Sequence, residues 1–145
     1  MDVIEAFSGD YRWLSNFHPC KIKYGDLVYP SVEHAYQAAK VPPDGRLAFL
    51  GITASQAKHL GRRKACVPHW YNWKVSVMRE LLQLKFAPGS PLAGRLTATA
   101  PAKLVEGNSW DDTFWGVCRG QGQNMLGQLL MQQRQRLIDA DCKAE

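Results

Sequence analysis

The sequence has no long apolar run. Nothing in it approaches the ~18 consecutive apolar residues that a membrane-spanning helix needs, so no membrane partner is expected. Its first ten residues, MDVIEAFSGD, have neither the basic start nor the apolar stretch of a secretory signal, and the expected location is cytoplasmic. Cysteine is sparse. Cys20, Cys66, Cys118 and Cys142 are widely scattered, which fits reduced thiols better than a disulfide framework. Cys66 and His69 make a lone C-x-x-H half-site with no partner pair nearby, so no metal is expected. Basic clusters are also scarce. The densest is Arg62, Arg63 and Lys64, with no zinc finger, no RNP-like aromatic motif and no long basic run, so the common nucleic-acid-binding modules are excluded.

What is present is an ordinary globular composition. The chain has 145 residues, 46% apolar and 21% charged, enough for one domain spanning 1–145 with its own core. The net charge of +5 favours an anionic partner, and its dispersal suits a small phosphate-bearing ligand better than a duplex. No redox or other cofactor is called for.

Residues 3–7 and 20–29 read as short strands, the second broken by a Tyr24-Gly25-Asp26 turn. A helix is expected from Ser31 to about Lys40, stopped by Pro42-Pro43-Asp44-Gly45. A second starts with the capping pair Thr53 and Gln56 and runs to Gly61. A third covers 70–86, with Trp73, Val77, Leu81 and Leu84 at helical spacing. A short helix over 92–99, a strand over 103–106 and a last helix from Asn124 to Ile138 complete the reading. Leu126, Leu130, Leu137 and Ile138 are expected on its buried side. The class is α+β: a helix-rich domain around a small β-sheet.

Three stretches carry candidate chemistry. In YPSVEHAYQAAK, 29–40, Ser31 is the N-cap, but the third helical position, where a capping box places Glu or Gln, holds His34. Glu33 is one residue out of register. Glu33, Gln37 and Lys40 fall within ~60° of one another beside an apolar stripe of Val32, Tyr36 and Ala39. They are either a solvated helix edge or a pocket wall. In EGNSWDDTFWGVCRGQGQNMLG, 106–127, carboxylates, Trp110 and Trp115 share a loop with Gly116, Gly120 and Gly122 ahead of a helix start. That suits a packed turn, or a ribose-and-base ligand with an anion at the helix start. In YRWLSNF, 11–17, Ser15-Asn16 is either a turn or an amide in the same cleft.

The motifs in order are L-S-N-F at 14–17, Y-P-S-V-E-H-A-Y-Q-x-x-K at 29–40, the Ala57-Lys58 helix, and 73–86 ending in Lys85-Phe86. L-V-E at 104–106, D-x-x-W-G at 112–116 and N-x-L-G-x-x-L-M-x-x-R at 124–134 follow. Together they resemble the NADAR family of YbiA-like N-glycosidases over nearly the whole chain. The resemblance implies hydrolysis of a C–N bond between ribose and an amine or nucleobase. The implied substrates are phosphoribosylamino-pyrimidine intermediates of riboflavin biosynthesis, or ADP-ribosyl-guanine, free or within nucleic acid. It implies Glu33, Asp112 and Lys40 as catalytic residues. It places Asn16, Trp115, Gly116 and Asn124 around the substrate. Gln37, on the face of Glu33, and Trp73, at the start of the matched 73–86 segment, are further candidate contacts, and a phosphate is expected on some of Arg12, Lys58, Arg62 and the Gly120–Asn124 helix entry. At a helix N-terminus Glu33 is expected to stay ionised, which suits charge stabilisation or water activation; burial raising its pKa would make it an acid instead. A non-catalytic module that binds ADP-ribose or another NAD derivative is the alternative.

Overall fold

A computed structural model describes residues 2–144. The chain is α+β and rich in helix, and it divides into two compact units. One comprises 2–15 and 86–144, the other 16–85.

The first strand, β1 (Val3–Ile4), belongs to the other unit. The 16–85 unit begins with an antiparallel hairpin: β2 (Ile22–Tyr24) pairs with β3 (Leu27–Tyr29) in the register Ile22 to Tyr29, and Gly25 at φ +63° closes the turn. Helix α1 (Val32–Ala39) follows, then a 3-10 segment, Pro43–Phe49, and helices α2 (Ala54–Arg62) and α3 (Trp70–Lys85). The Pro-Pro-Asp-Gly stretch does stop α1, but the chain continues helically in 3-10 form because Pro43 fits a first helical turn. Both predicted caps are in place. Ser31 Oγ accepts from His34 N–H at 3.1 Å, and Thr53 with Gln56 makes a complete capping box. Helix α1 packs against α2, α3 and the hairpin. Ile22, Tyr29, Val32, Phe49, Met78, Leu81 and Leu82 are fully buried in this unit, each stabilising by about 1.5–3 kcal/mol.

Helix α3 buries a different stripe from the one expected. Trp70, Val77, Met78, Leu81, Leu82 and Lys85 are inside, whereas Trp73 and Leu84 are exposed. At 100° per residue, 73 and 84 lie roughly 80–100° from the centre of the observed stripe. Their spacing to Val77 and Leu81 is helical, but they extend the face on its solvent side.

The other unit holds two parallel pairs, β1 (Val3–Ile4) with β4 (Lys103–Leu104) and β5 (Gly107–Asn108) with β6 (Val117–Cys118). The small sheet expected from the sequence is thus three separate two-stranded pairs among the described residues. β5 and β6 lie in a stretch that reads as loop. Two residues each, one of them glycine, give no alternation to detect. Helix α4 (Pro91–Ala98), capped by Ser90, packs on α5 (Met125–Ala144), and α5 packs on β4. Helix α5 runs six residues past the expected end, and Ile138 is only half-buried. Leu126, Leu130 and Leu137 are buried as expected.

Candidate active site

The start of α1 explains the register of Glu33. Of the N–H groups left free by helix geometry, that of Glu33 donates to the Asn16 carbonyl at 3.0 Å, and that of His34 to Ser31 Oγ. The backbone of the L-S-N-F stretch thus satisfies one first-turn donor, that of Glu33 itself, whereas a capping-box carboxylate would accept from the N-cap N–H of Ser31. His34, at the box position, is locked instead. Its Nε2 lies 2.7 Å from the Ile52 carbonyl and its Nδ1 2.6 Å from Ser31 Oγ. A carbonyl only accepts, so Nε2 carries a proton and points it at Ile52. Glu33 is released from capping and turned inward.

It is also buried. Glu33 is 7% exposed and Gln37 5%. The solvated-edge alternative thus fails for Glu33 and Gln37: all eight residues of α1 are buried, and only Lys40, the half-buried C-cap, borders the packing. The side chains form a chain of contacts. Gln37 Nε2 donates to Glu33 Oε1 at 2.8 Å, and Lys40 Nζ donates to Gln37 Oε1 at 3.1 Å. Lys58, Arg62 and Lys40 act on Glu33 electrostatically. Burial pushes the Glu33 carboxyl up from its ordinary value, against the opposing pull of the Gln37 amide and the three cations. Removal from water, the largest influence on this carboxyl, thus acts against the preference for the charged form that the helix N-terminus provides.

Asn16 belongs to the same unit. Its Nδ2 lies 3.6 Å from Met78 Sδ, and its Oδ1 is buried with no hydrogen-bond partner among the described residues. An acceptor desolvated in this way is costly unless a ligand satisfies it. Lys58 also sits 5.9 Å from the centre of the Phe17 ring, beside the same stretch. The structure thus brings Asn16, Glu33, Gln37, Lys40 and Arg62 into one unit, together with Lys58, expected as a phosphate contact and found acting on Glu33. Trp73 is 63% exposed, so its ring is not drawn into the buried cluster. The tryptophan that packs on α1 is Trp70, its ring 5.3 Å from that of Tyr36. Trp70 is missing from the sequence reading because it starts its helix, where helical spacing has no preceding turn to confirm it.

The remaining candidates are in the other unit and are engaged with backbone. Asp112 Oδ1 accepts from the N–H groups of Phe114 (3.2 Å) and Trp115 (2.9 Å), an Asx turn. Asn108 completes it, accepting from Asp112 N–H at 3.0 Å and donating to its carbonyl at 2.8 Å. Asn108 was not singled out from sequence, and an Asn four residues before an Asp is too weak a signal to find it. Trp115 is half-buried, edge-on to Phe114 at 4.9 Å. Gly116 leaves no room for a side chain: a Cβ there would overlap the Glu106 carbonyl and come within 2.7 Å of Asn108 Nδ2. Asn124, at φ +53°, accepts from Glu106 N–H and donates to the Leu104 carbonyl, both at 2.9 Å.

The helix start at 124 is closed to an anion. The N–H groups of Asn124, Met125 and Leu126 donate to the carbonyls of Gly116, Phe114 and Trp115. The expected anion site at Gly120–Asn124 therefore does not form, because the D-x-x-W-G loop folds back and occupies the free donors.

A family model for the NADAR domain matches residues 5–138. The chain belongs to the NADAR family. Among similar proteins, N-glycosidase YbiA of Escherichia coli is 38% identical over 135 residues, which cover 90% of this chain and 84% of that protein. An N-glycosidase of Nostoc punctiforme is 33% identical, covering 88% and 86%. A riboflavin biosynthesis protein of Vibrio vulnificus is 40% identical over 134 residues. This NADAR chain spans only 36% of that longer protein. The solution NMR structure of E. coli YbiA superposes with a TM-score of 0.85 at 35% identity, covering 97% of this chain and 88% of that one.

Proposed function

We propose that this NADAR protein is an N-glycosidase that hydrolyses the C–N bond between ribose and an amine or nucleobase, with Glu33 as its central catalytic group. The reaction class is supported by the relatives named N-glycosidase. The role of Glu33 rests on one observation: a buried carboxylate, freed from helix capping, held by Gln37 and faced by Lys40, Lys58 and Arg62. The single family match over 5–138 supports treating both units as one functional domain.

As the C–N bond breaks, its electron pair leaves with nitrogen and positive charge builds on the sugar. Anionic Glu33 stabilises that charge and takes a proton from the attacking water, whose oxygen bonds to the anomeric carbon. A raised pKa makes a carboxylate the stronger base. The leaving nitrogen takes a proton from Lys40 or from solvent, and the products are a ribose hydroxyl and a free amine or base. Gln37, Lys40 and Lys58 hold Glu33 in place, and the buried Oδ1 of Asn16 offers an acceptor to a ribose hydroxyl. Asp112 folds the loop carrying Trp115 and Gly116.

The substrate carries phosphate. From 45 to 79 the chain has Arg46, Lys58, Arg62, Arg63, Lys64, Lys74 and Arg79 and no Asp or Glu, so the excess positive charge concentrates around α2 and α3. Phosphoribosylamino pyrimidines and ADP-ribosyl-guanine both fit this charge. Incubation of the purified protein with each, followed by mass spectrometry of the fragments, tests the proposal. Release of free amine or guanine by the wild type, at a rate lowered at least 10²-fold in Glu33→Gln, is expected. Tight binding of ADP-ribose with no product from either substrate would instead identify a binding module.

A further inference from the structure

Helix α2 carries a glycine where α1 and α2 meet. Sequence alone assigns Gly61 to a helix end, but in the structure it lies within α2, and its backbone is not in the left-handed region. Its reason is space. A Cβ at 61 would overlap Gln37 Oε1 and come within 2.7 Å of Cδ and 3.2 Å of Cβ of the same side chain. The bare backbone of α2 therefore forms the wall against which the Gln37 amide rests.

That amide has only one workable orientation. Its nitrogen donates to Glu33 and its oxygen accepts from Lys40. Turned over, it would set oxygen against a carboxylate and NH2 against an ammonium. With Glu33 at i, Gln37 at i+4 and Lys40 at i+7, the three share one face of α1. One N–H of the Gln37 amide is thus committed to Glu33, and the amide oxygen to Lys40.

We propose that Gly61 and Gln37 form a positioning device for Glu33: the missing side chain at 61 pins the Gln37 amide between Glu33 and Lys40, and so fixes the carboxylate from the neighbouring helix. In this device Gln37 acts on the reaction through Glu33, as a positioning residue. The inference builds on the catalytic reading of Glu33, but the coupling between 61 and 37 can be measured without substrate. The groups that also face Glu33 are Lys40, the C-cap of α1, and Lys58 and Arg62 on α2.

The test uses Gln37→Ala, Gly61→Ala and the double variant, with two readouts: the melting temperature, and the titration of the Glu33 carboxyl followed by carbon-13 NMR. Gln37→Ala removes a donor to the carboxylate, so the Glu33 midpoint should rise by about one pH unit. Gly61→Ala should shift it the same way by driving the amide out. The double variant should shift it no further than Gln37→Ala alone. Ala favours a helix over Gly, so Gly61→Ala would stabilise the protein if space allowed. It should instead lower the melting temperature, and Gln37→Ala in the same chain should recover the loss. Additive midpoint shifts, a wild-type midpoint in Gly61→Ala, or a double variant that folds no better than Gly61→Ala would each overturn the proposal. In activity, both single variants should lose about tenfold in kcat with little change in KM. If Glu33→Gln turns over normally while the 61–37 coupling stands, the catalytic reading fails and the positioning device does not.

Discussion

Two polar regions of this protein look alike in sequence and differ in what their side chains do. In 106–127, Asn108, Asp112 and Asn124 bond to main-chain groups: eight hydrogen bonds from their side chains to backbone hold a loop that has little other regular structure. On α1, Glu33, Gln37 and Lys40 bond to one another, while the backbone around them is satisfied by the helix, by Ser31 and by Asn16. A polar side chain spent on backbone builds the fold. A buried carboxylate whose partners are other side chains can change its charge without unfolding anything. The second arrangement is the one that suits chemistry.

The sharpest way to break that contrast is Glu33→Gln, whose rate effect is the largest expected. Its effect on stability should be opposite in sign. The folded-state pKa of Glu33 is raised, so the carboxyl stabilises the fold fully below its unfolded value near 4.5 and loses that contribution as pH rises through the folded value. Wild type and variant should melt alike below about pH 4.5, and the variant should melt higher at neutral pH, by on the order of 2–4 °C per kcal/mol recovered. Melting curves across this range check it; a variant less stable at pH 8 than at pH 4, relative to wild type, would show that Glu33 is a structural ion.

Next is Asp112. Asp112→Ala strips the acceptor from two N–H groups and should cost about 1–3 kcal/mol in denaturant unfolding. Asp112→Asn keeps an oxygen in place and should retain most of the stability and turnover. If Asn folds well but turnover collapses, the loop carboxylate has a chemical role and the contrast between the regions narrows.

Arg62→Ala should act more weakly. Arg62 is exposed, so its pull on phosphate is screened by water and salt. A rise in KM of about tenfold at low ionic strength, shrinking as salt is added, is expected from steady-state kinetics. Equal kinetics on dephosphorylated substrate would remove Arg62 from phosphate binding.

Trp73→Ala is the smallest. An exposed ring on α3 contributes within about ±0.5 kcal/mol to stability. Unchanged KM would confirm that Trp73 is a surface residue; a higher KM with an unchanged melting temperature would make it a stacking platform for the base.

Much of this was legible in the sequence. The caps at Ser31 and Thr53, the turn at Gly25 and the boundaries of α1 and α2 follow from local chemistry, and structure and reading agree. The oddity of Glu33 was also visible, since a carboxylate one position off a capping box is a local fact. What it gains from elsewhere was not visible. The Asn16 carbonyl is 17 residues away in sequence, and the space at Gly61 has no signature beyond a glycine that a helix end would also use. The burial of Glu33 and Gln37 depends on α2, the 3-10 segment and α3 all covering α1, which no period along α1 records. The closed start of α5 failed for the same reason: glycines before a helix suggest free donors, but the loop that fills them is set by Asp112 and Asn108.

The locked imidazole of His34 has one more consequence. Its Nε2 proton is held by the Ile52 carbonyl, and the ring is buried. That proton can exchange with solvent only when the first turn of α1 lifts from residue 52, a local opening event slower than side-chain motion. The lifetime of this single proton is therefore a clock for how often the helix start carrying Glu33 comes undone.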